Sequence, residues 1–395
     1  DKHIGLGHRR LSIVDLSSAG QQPMISPSGR YVIAFNGEVY NHFDLRKELG
    51  ESSWRGHSDT ESLLAGFDSW GIQGAIERAV GMFAFAVWDK NDNSLFLGRD
   101  RIGEKPLYYG WQGSSFMFAS ELKALKKHPA FKAEISRESV CLFLRYSYVP
   151  APYSIYSGIQ KLEPGCLLSL PQNQREPKIW KYWSAIDLIK QGINSPFSGT
   201  PLEAVDELEL LAKDAIKQQM VADVPLGAFL SGGKDSSTVV ALMQAQSTQK
   251  IKTFSIGFHE EGYNEAVYAK AIAQHLGTDH TELYVPPNIA RAVIPNIPSL
   301  YDEPFSDSSQ IPTFLVAQLA RQHVTVSLSG DAGDELFGGY NRYQMTASMW
   351  KKLALMPRSL RLLIAKGIEV IPPQAWNNLS KFIPGSNRFV NIGDK

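Results

Sequence analysis

The chain has 395 residues, and its 40 basic and 40 acidic side chains cancel without forming a block of like charge. This length allows two or three domains, each with an ample core. The balanced charge gives no indication of a nucleic-acid-binding stripe or a polybasic membrane anchor.

The longest apolar runs, such as residues 82–88, are far too short to cross a bilayer, and the N-terminus has no signal-peptide pattern. We therefore expect a cytoplasmic protein that binds neither membrane nor nucleic acid. The two cysteines, Cys141 and Cys166, lack metal-ligand spacing, and their apolar neighbours predict buried, reduced thiols.

From Gly7 to about Trp183 the sequence alternates short strands with turns and a few helices, which predicts an α+β arrangement. A strand over residues 31–35 is predicted to stop at the turn dipeptide Asn36-Gly37. Further strands are predicted at 82–88, 94–98, 107–111 and 115–119, and helices at about 42–49, 59–70, 72–80 and 136–146.

Polar clusters interrupt this apolar pattern at three strand ends, over residues 7–15, 35–41 and 56–61. Each cluster has a local explanation: Asn36-Gly37 as a hairpin turn, Asp59 as a helix N-cap, and Arg10 as a solvated charge. Together they offer an arginine, an amide and two carboxylates. This is the set that would hold the α-amino and α-carboxyl groups of a free amino acid by charge-assisted hydrogen bonds.

Six motifs in this region resemble, in sequence and in order, the glutaminase domain of glutamine-hydrolysing asparagine synthetases. They are R-L-S-I-V-D, N-G-E-V-Y-N, S-D-T-E, G-M-F-A-F-A-V-W-D, G-R-D-R-I-G-E-K-P-L-Y-Y and A-S-E-L-K-A-L. The resemblance implies a class II amidotransferase domain with the αββα N-terminal-nucleophile fold over residues 1–185. It also implies a glutamine site that consists of Arg10, Leu11, Ile13, Val14, Asn36, Gly37, Glu38 and Asp59. Within this site, Asn36 and Gly37 would form the oxyanion hole.

The sequence departs from the family at the nucleophile. In the family this is a cysteine at the first residue of the mature chain, whose own α-amino group acts as the base. Here the sequence opens with Asp1, already close to the motif that contains Arg10. Because the glutamine-binding residues are retained, we expect a fragment of a longer protein rather than a protein that has lost glutaminase activity.

A polar stretch predicts a linker at residues 186–200, after which Thr200, Pro201 and Glu203 predict a capped helix that opens a domain over 201–395. Strands predicted at 224–230, 251–257, 281–285 and 324–328 alternate with helices at about 236–246, 264–276 and 311–322. This is the pattern of a doubly wound parallel α/β sheet, in which ligands bind beyond the carboxyl ends of the strands.

The loop S-G-G-K-D-S-S over residues 231–237 follows the first of these strands. A Walker loop is excluded because Lys234 is followed by Asp235 rather than by Ser or Thr. The pattern S-G-G-x-D-S-S resembles the pyrophosphate-binding loop of N-type ATP pyrophosphatases. An ordinary serine-capped Gly-Gly turn is the alternative.

A second signal is L-S-G-D-A-G-D-E-L-F-G-G-Y over residues 328–340, in which crowded acids repel each other unless a cation or donors are present. A solvated acidic turn is the alternative. The string resembles the synthetase domain of the same family, and this implies that Ser329 and Gly330 contact the nucleotide. It also implies that Asp331 and Asp334 lie near the acyl-adenylate and magnesium.

The resemblance thus implies ATP and Mg²⁺ as cofactors, with Asp235, Asp331 and Asp334 as catalytic residues and with Asp235 and Asp334 as candidate magnesium ligands. The implied ATP site consists of Phe229, Leu230, Ser231, Gly232, Gly233, Asp235, Ser236, Ser237, Ile256, Ser329 and Gly330. The stretch Y-D-E-P-F-S-D-S-S over 301–309 resembles a branch of the family whose members often amidate sugar acids, and it receives no residue roles.

These resemblances predict a two-site ligase whose small-molecule partners are glutamine, aspartate and ATP. Three alternatives stay open: amidation of a sugar uronic acid, ring closure of the β-lactam type, and a non-catalytic homologue that binds an amino acid or a nucleotide. The sequence also leaves a homodimer open.

Overall fold

The computed structural model describes residues 4–50, 53–259, 264–372 and 374–375. The chain forms two compact units, divided after Gly330. Within the first unit we distinguish an antiparallel region, residues 4–183, from a parallel region, residues 201–330.

The helices of the first unit are α1 (His42–Leu49), α2 (Asp59–Arg78), α3 (Leu122–Leu125), α4 (Arg137–Tyr146), α5 (Ala185–Asn194), α6 (Pro201–Gln219), α7 (Lys234–Ala245), α8 (Ala266–Leu276), α9 (Pro287–Val293), α10 (Ile297–Leu300) and α11 (Gln310–Ala320). Short 3₁₀ turns occupy Ser18–Gly20 and Ile294–Asn296. The second unit contains α12 (Gly333–Phe337), α13 (Asn341–Ala354) and α14 (Arg358–Val370).

The strands of the antiparallel region are β1 (Met24–Ile25), β2 (Tyr31–Val39), β3 (Gly81–Asp89), β4 (Ser94–Arg99), β5 (Tyr108–Gln112), β6 (Ser115–Ala119), β7 (Ile159–Lys161), β8 (Cys166–Pro171) and β9 (Lys178–Lys181). Those of the parallel region are β10 (Leu226–Phe229), β11 (Lys252–Gly257), β12 (Asp279–Tyr284) and β13 (Val326–Leu328).

The antiparallel region has four layers. Helices α1 and α2 cover one face of a six-stranded sheet, β1-β2-β3-β4-β8-β9, through a core that includes Phe35, Phe67 and Phe85. The other face of this sheet packs on the three-stranded sheet β6-β5-β7, where Trp88 and Tyr109 share a core. Helices α3 and α4 cover the far side of the smaller sheet. This αββα order confirms the predicted fold.

The parallel region has a four-stranded sheet in the order β12-β11-β10-β13, in which every neighbouring pair is parallel. Helices α6, α7 and α8 pack on one face, where Ile216, Val240 and Ala269 share a core. Helix α11 packs on the other face, where Leu319 meets Phe254. The predicted doubly wound sheet is therefore confirmed.

The predicted turn at Asn36-Gly37 is wrong, because β2 continues through both residues to Val39. Asn36 pairs with Ala84 and Gly37 with Phe83 across the ladder with β3. A Cβ on Gly37 would overlap the Met82 carbonyl oxygen and would lie 2.6 Å from Phe83 Cα. The glycine therefore serves close approach of two strands rather than reversal of the chain.

Two other expectations meet the structure differently. Cys141 is exposed on α4, whereas Cys166 is buried as predicted. Most of the predicted linker at 186–200 lies in helix α5, although the predicted capping box of Thr200 and Glu203 at the start of α6 is present. The predicted domain limits themselves stay a prediction, and residues 376–395 lie outside the described residues.

A bilayer-spanning helix is absent from the described part of the chain, since every helix there is too short or too polar to cross a membrane.

We predict that Gly37→Ala lowers the free energy of unfolding by about 1–3 kcal/mol, because the added Cβ forces β2 and β3 apart. Urea unfolding of the chain measures this. Gly192→Ala is the matched control, since a Cβ on Gly192 meets no atom within 4 Å and alanine favours the helix α5. Equal stability of the Gly37→Ala chain and the parent would contradict the prediction.

Candidate functional site

A small cavity of about 110 Å³ opens beside the carboxyl end of β2 in the antiparallel region. All eight residues that the sequence assigned to a glutamine site line it: Arg10, Leu11, Ile13, Val14, Asn36, Gly37, Glu38 and Asp59. They come from the loop before β1, from β2 and from the first residue of α2. The tertiary structure thus brings the three polar clusters of the sequence together.

Two carboxylates are buried next to each other in this cavity. Asp59 accepts hydrogen bonds from the backbone N–H groups of Val39, at 2.9 Å, and Thr60, at 2.7 Å. Glu38 lacks this support, because its Oε1 atom is buried without a hydrogen-bond partner among the described residues. Burial, followed by the charge of Asp59, raises the pKa of Glu38 to about 7, and Lys105 opposes this rise.

An unsatisfied carboxylate beside a second one is a site for a cation. A ligand ammonium group would supply the missing donor to Glu38 and would favour the ionised forms of both acids. The charge of the cavity therefore suits the α-amino group of an amino acid.

The side-chain amide of Asn36 is held by a contact within the antiparallel region. Its Nδ2 donates to the hydroxyl of Ser120, at 2.9 Å, just after β6. Because β2 is straight through Asn36 and Gly37, their polar groups stay at the cavity wall instead of turning away with a hairpin.

Arg10 lines the cavity, but its guanidinium donates to backbone carbonyls of its own loop. Nη2 reaches Val14, at 3.0 Å, and Asp15, at 2.6 Å, while Nη1 reaches Ser17 at 3.3 Å. In the structure described here, Arg10 thus closes the loop that also carries Leu11 and Ile13.

The same loop is held by a residue that the sequence did not single out. Asp223 accepts from the backbone N–H of Asp15, at 2.7 Å, and its own N–H donates to the carbonyl of Ile13, at 2.9 Å. Its Oδ2 also lies 2.5 Å from His57 Nε2, and this hydrogen bond lowers the pKa of Asp223. Asp223 stands 208 positions after Asp15, so a local pattern could not have indicated the contact.

Lys105 is another cavity residue to which sequence reasoning gave no role. It lies within the G-R-D-R-I-G-E-K-P-L-Y-Y motif, so the signal was present without an assignment.

The second candidate site is the loop over residues 231–237, hereafter the Ser231 loop, between β10 and α7. The backbone N–H of Ser231 donates to the hydroxyl of Ser236, at 3.2 Å, and that of Gly233 donates to the hydroxyl of Ser231, also at 3.2 Å. Gly232 adopts a positive φ of 84°, and a Cβ there would lie 2.8 Å from the backbone nitrogen of Ala269 on α8. Glycine is required at this position on both counts.

Helix α7 begins without a side-chain cap, since its N-cap residue is Gly233. The first N–H groups of a helix have no intrahelical partner, and the helix dipole favours an anion there. Ser237 turns its hydroxyl back to the carbonyl of Gly233, at 2.6 Å, and so leaves the N–H groups of this turn uncovered by its side chain.

The end of the neighbouring strand β13 lies against this turn. A Cβ on Gly330 would stand 2.5 Å from the backbone nitrogen of Ser236, so only glycine allows the two segments to approach so closely. Ile256 lies at the carboxyl end of β11, which is the other strand that pairs with β10. Residues predicted to bind ATP therefore gather at the carboxyl ends of three adjacent parallel strands, where ligands of such sheets bind.

Three residues of the predicted ATP set pack their side chains into the core. Leu230 is buried, Phe229 is half-buried against the cluster that includes Leu319 of α11, and Ile256 is half-buried against the cluster that includes Leu315 of the same helix. Any contact of these three residues with a nucleotide would come from their backbone.

Asp331 and Asp334 lie in the second unit, at the start of helix α12. Ala332 between them has a positive φ of 71°. The carbonyl of Asp334 accepts from the backbone N–H of Gly339, at 3.0 Å, which closes the glycine-rich turn after α12.

Within the described residues, no group of three or more His, Cys, Asp or Glu side chains is placed to hold a metal ion. Magnesium is usually bound by one or two carboxylates together with the phosphates of a substrate rather than by a cage of protein ligands. Asp235 fits that role, because its half-buried carboxylate stands on the first turn of α7 and has no hydrogen-bond partner in the part of the chain that is described.

Comparison with known proteins assigns most of the chain to two domain families. Residues 1–183 match the family model of the glutamine amidotransferase domain, and residues 207–388 match that of asparagine synthase. The chain is 36% identical to "Asparagine synthetase (glutamine-hydrolyzing) 1" of Bacillus subtilis, covering 94% of this chain and 57% of that protein. It is 38% identical to a Methanocaldococcus jannaschii protein provisionally named asparagine synthetase (glutamine-hydrolyzing) 2, covering 92% of this chain and 72% of that protein.

A solved structure, glutamine phosphoribosylpyrophosphate amidotransferase from B. subtilis in complex with ADP and GMP, shares 15% sequence identity, with coverage of 74% of this chain and 78% of that chain. Its TM-score of 0.33 is too low to support an argument.

The fold and the two family matches define a glutamine amidotransferase domain followed by an asparagine synthase domain. The chain belongs to the family of glutamine-hydrolysing asparagine synthetases, of which it spans 57% to 72% of the length of the two relatives above. This confirms the predicted enzyme class, an ATP-dependent carbon–nitrogen ligase with glutamine as the amide donor. The other acceptors and the non-catalytic reading are not favoured.

We predict that Glu38→Gln stabilises the ligand-free chain at pH 8 but not at pH 4.5. An acid whose pKa rises from 4.5 to about 7 on folding holds its proton more tightly in the folded chain, so stability is lost as the pH rises through that range. The uncharged side chain of the Glu38→Gln variant does not titrate, so the variant does not lose this stability. Thermal unfolding at the two pH values measures it, with the exposed Glu176→Gln as control. A Glu38→Gln chain that melts no higher than the parent at pH 8 would refute the predicted burial cost.

We predict that Gly330→Ala weakens ATP binding by at least about tenfold, because the new Cβ displaces the first turn of α7, whose N–H groups are expected to bind phosphate. Isothermal calorimetry on the chain measures the affinity, and Gly192→Ala again serves as control. Unchanged affinity in Gly330→Ala would show that the nucleotide does not use this turn.

Proposed function

We propose that the whole protein makes asparagine from aspartate, with ammonia taken from glutamine and with ATP cleaved to AMP and pyrophosphate. The observation that best supports the proposal is the close approach of Gly330 to the first turn of α7, at the ends of parallel strands, where the uncapped backbone N–H groups favour an anion. A cavity with two buried carboxylates in the same chain supplies the amino-acid site.

In the antiparallel region, Glu38 and Asp59 bind the α-amino group of glutamine. The Asn36 amide and the Gly37 N–H donate to the oxygen of the amide as its carbonyl becomes tetrahedral. Donors fixed in advance at such a position stabilise the transition state because they need no reorganisation. The family resemblance implies an N-terminal cysteine as the nucleophile, and Asn36, Gly37, Glu38 and Asp59 serve binding and oxyanion stabilisation instead.

In the parallel region, a carboxylate oxygen of aspartate attacks the α-phosphorus of ATP, and the bond to the bridging oxygen of pyrophosphate breaks. Negative charge then gathers on the departing pyrophosphate, opposite the uncapped start of α7. The Ser231 loop binds it through backbone N–H groups. Ammonia next attacks the acyl carbon of the aspartyl-adenylate, loses a proton and expels AMP, which leaves asparagine.

Magnesium is the metal that this scheme includes. Asp235 would hold it together with the phosphates, and the ion would neutralise charge on the phosphate oxygens. Asp331 and Asp334 as catalytic residues, and Asp334 as a second magnesium ligand, stay predictions. So do a homodimer and a cytoplasmic location.

The whole protein, supplied with glutamine, aspartate and Mg-ATP, is expected to release AMP, pyrophosphate and asparagine in equal amounts. We predict that Asp235→Asn lowers pyrophosphate release by about 100-fold or more. The magnesium ion would lose a carboxylate ligand, and the charge that develops on the phosphates would be less well neutralised. A coupled pyrophosphate assay measures the rate.

The matched control is Asp206→Asn, which removes an exposed carboxylate from α6 and should leave the rate unchanged. Pyrophosphate release that does not depend on aspartate, or that a uronic acid supports better, would overturn the assignment of the acceptor.

A further inference from the structure

The sequence assigned no function to residues 301–309, yet this stretch joins the two regions of the first unit through partly buried polar contacts. The carboxylate of Asp302 accepts hydrogen bonds from the backbone N–H groups of Leu122, at 2.7 Å, and Lys123, at 3.2 Å. Lys123 returns the contact, since its Nζ donates to the carbonyls of Ser299, at 3.3 Å, and Leu300, at 3.2 Å.

Glu303 adds a second group of contacts. Only 10% of its side chain is exposed, and its carboxylate forms an ion pair with Lys161 on β7. It also accepts from the backbone N–H of Ile155, at 2.7 Å, and from the hydroxyl of Tyr108, at 3.4 Å. A carboxylate is stable at such a buried position only when charge and donors compensate it on all sides.

These contacts lead directly to the amide of Asn36. Asp302 fixes the backbone at Leu122, two residues after Ser120, and the hydroxyl of Ser120 accepts the hydrogen bond of Asn36 Nδ2 at 2.9 Å. A series of contacts thus runs from a carboxylate of the parallel region, through the backbone between Leu122 and Ser120, to the Asn36 amide.

We propose that Asp302 and Glu303 are positioning residues that couple the parallel region to the Asn36 amide. Asp302 fixes the position of the backbone that follows Ser120, and Glu303 holds residues 301–306 against β5 and β7. The Ser306 N–H donates to the Ser147 carbonyl, at 2.7 Å, and completes the joint. Neither carboxylate lines the amino-acid cavity. The catalytic consequence rests on the proposed function, whereas the coupling itself does not.

The first test uses the chain as it is and needs no activity. The side-chain NH₂ signals of Asn36, identified by their loss in Asn36→Asp, are followed in ¹H–¹⁵N TROSY spectra. Asp302→Asn should shift or broaden them. Asp307→Asn should not, because this exposed carboxylate of the same stretch accepts only from the Ser309 N–H, at 2.8 Å, among the contacts described. An unmoved Asn36 signal in a folded Asp302→Asn chain would overturn the coupling.

The second test uses the whole protein and separates two activities. Asp302→Asn should lower kcat for glutamine hydrolysis about tenfold with KM changed less than about twofold, because the oxyanion donor is misplaced while the amino-acid site is intact. Synthesis supported by added ammonia should stay at the parent rate. Glu303→Gln should act in the same direction, and Asp302→Glu should recover part of the loss.

An equal fall of the glutamine-supported and the ammonia-supported rates would reduce the two carboxylates to structural residues and overturn their coupling role. If the parent protein hydrolyses no glutamine, the proposed function fails by itself. The Asn36 signal then still decides whether the coupling exists.

Discussion

At Gly37 and at Gly330 the backbone runs so close to a neighbouring segment that a single Cβ atom would overlap it. Both candidate sites depend on this constraint. Gly37 lets β2 continue beside β3 to the wall of the amino-acid cavity, and Gly330 lets the end of β13 reach the first turn of α7. Close approach of this kind places backbone N–H groups, rather than flexible side chains, at the points where negative charge would develop.

Carboxylates connect the antiparallel and parallel regions of the first unit. Asp223 holds the loop of Ile13 and Asp15 from the parallel region, three residues before β10 begins. Asp302 and Glu303 hold the backbone near Ser120 and Ile155 from the same side. In each case a side-chain carboxylate accepts backbone N–H groups, so the contact fixes the path of the main chain. The geometry of the amino-acid cavity is therefore a property of both regions together.

The cavity also shows a stability cost of function. Burial and the neighbouring Asp59 raise the pKa of Glu38 to about 7. Burial also raises the pKa of Asp59, but its two backbone donors oppose that rise. A chain selected only for stability would replace such a group with an apolar or amide side chain. An acid without a donor is favourable for binding when the ligand is a cation, because the ligand supplies both the missing hydrogen-bond donor and the opposite charge.

The sequence by itself determined the two fold classes, which follow from alternating apolar positions and from a capping box at Thr200. Its resemblance to a known family predicted the residues of the two candidate sites, and the eight predicted for glutamine line one cavity. Only the tertiary structure decided that β2 passes through Asn36, that Arg10 braces its own loop, and that Asp302 reaches Leu122 from 180 positions away. The physical reason is range. Periodicity and motifs report on neighbours within one element, whereas the partner of a buried carboxylate is set by where the folded chain returns.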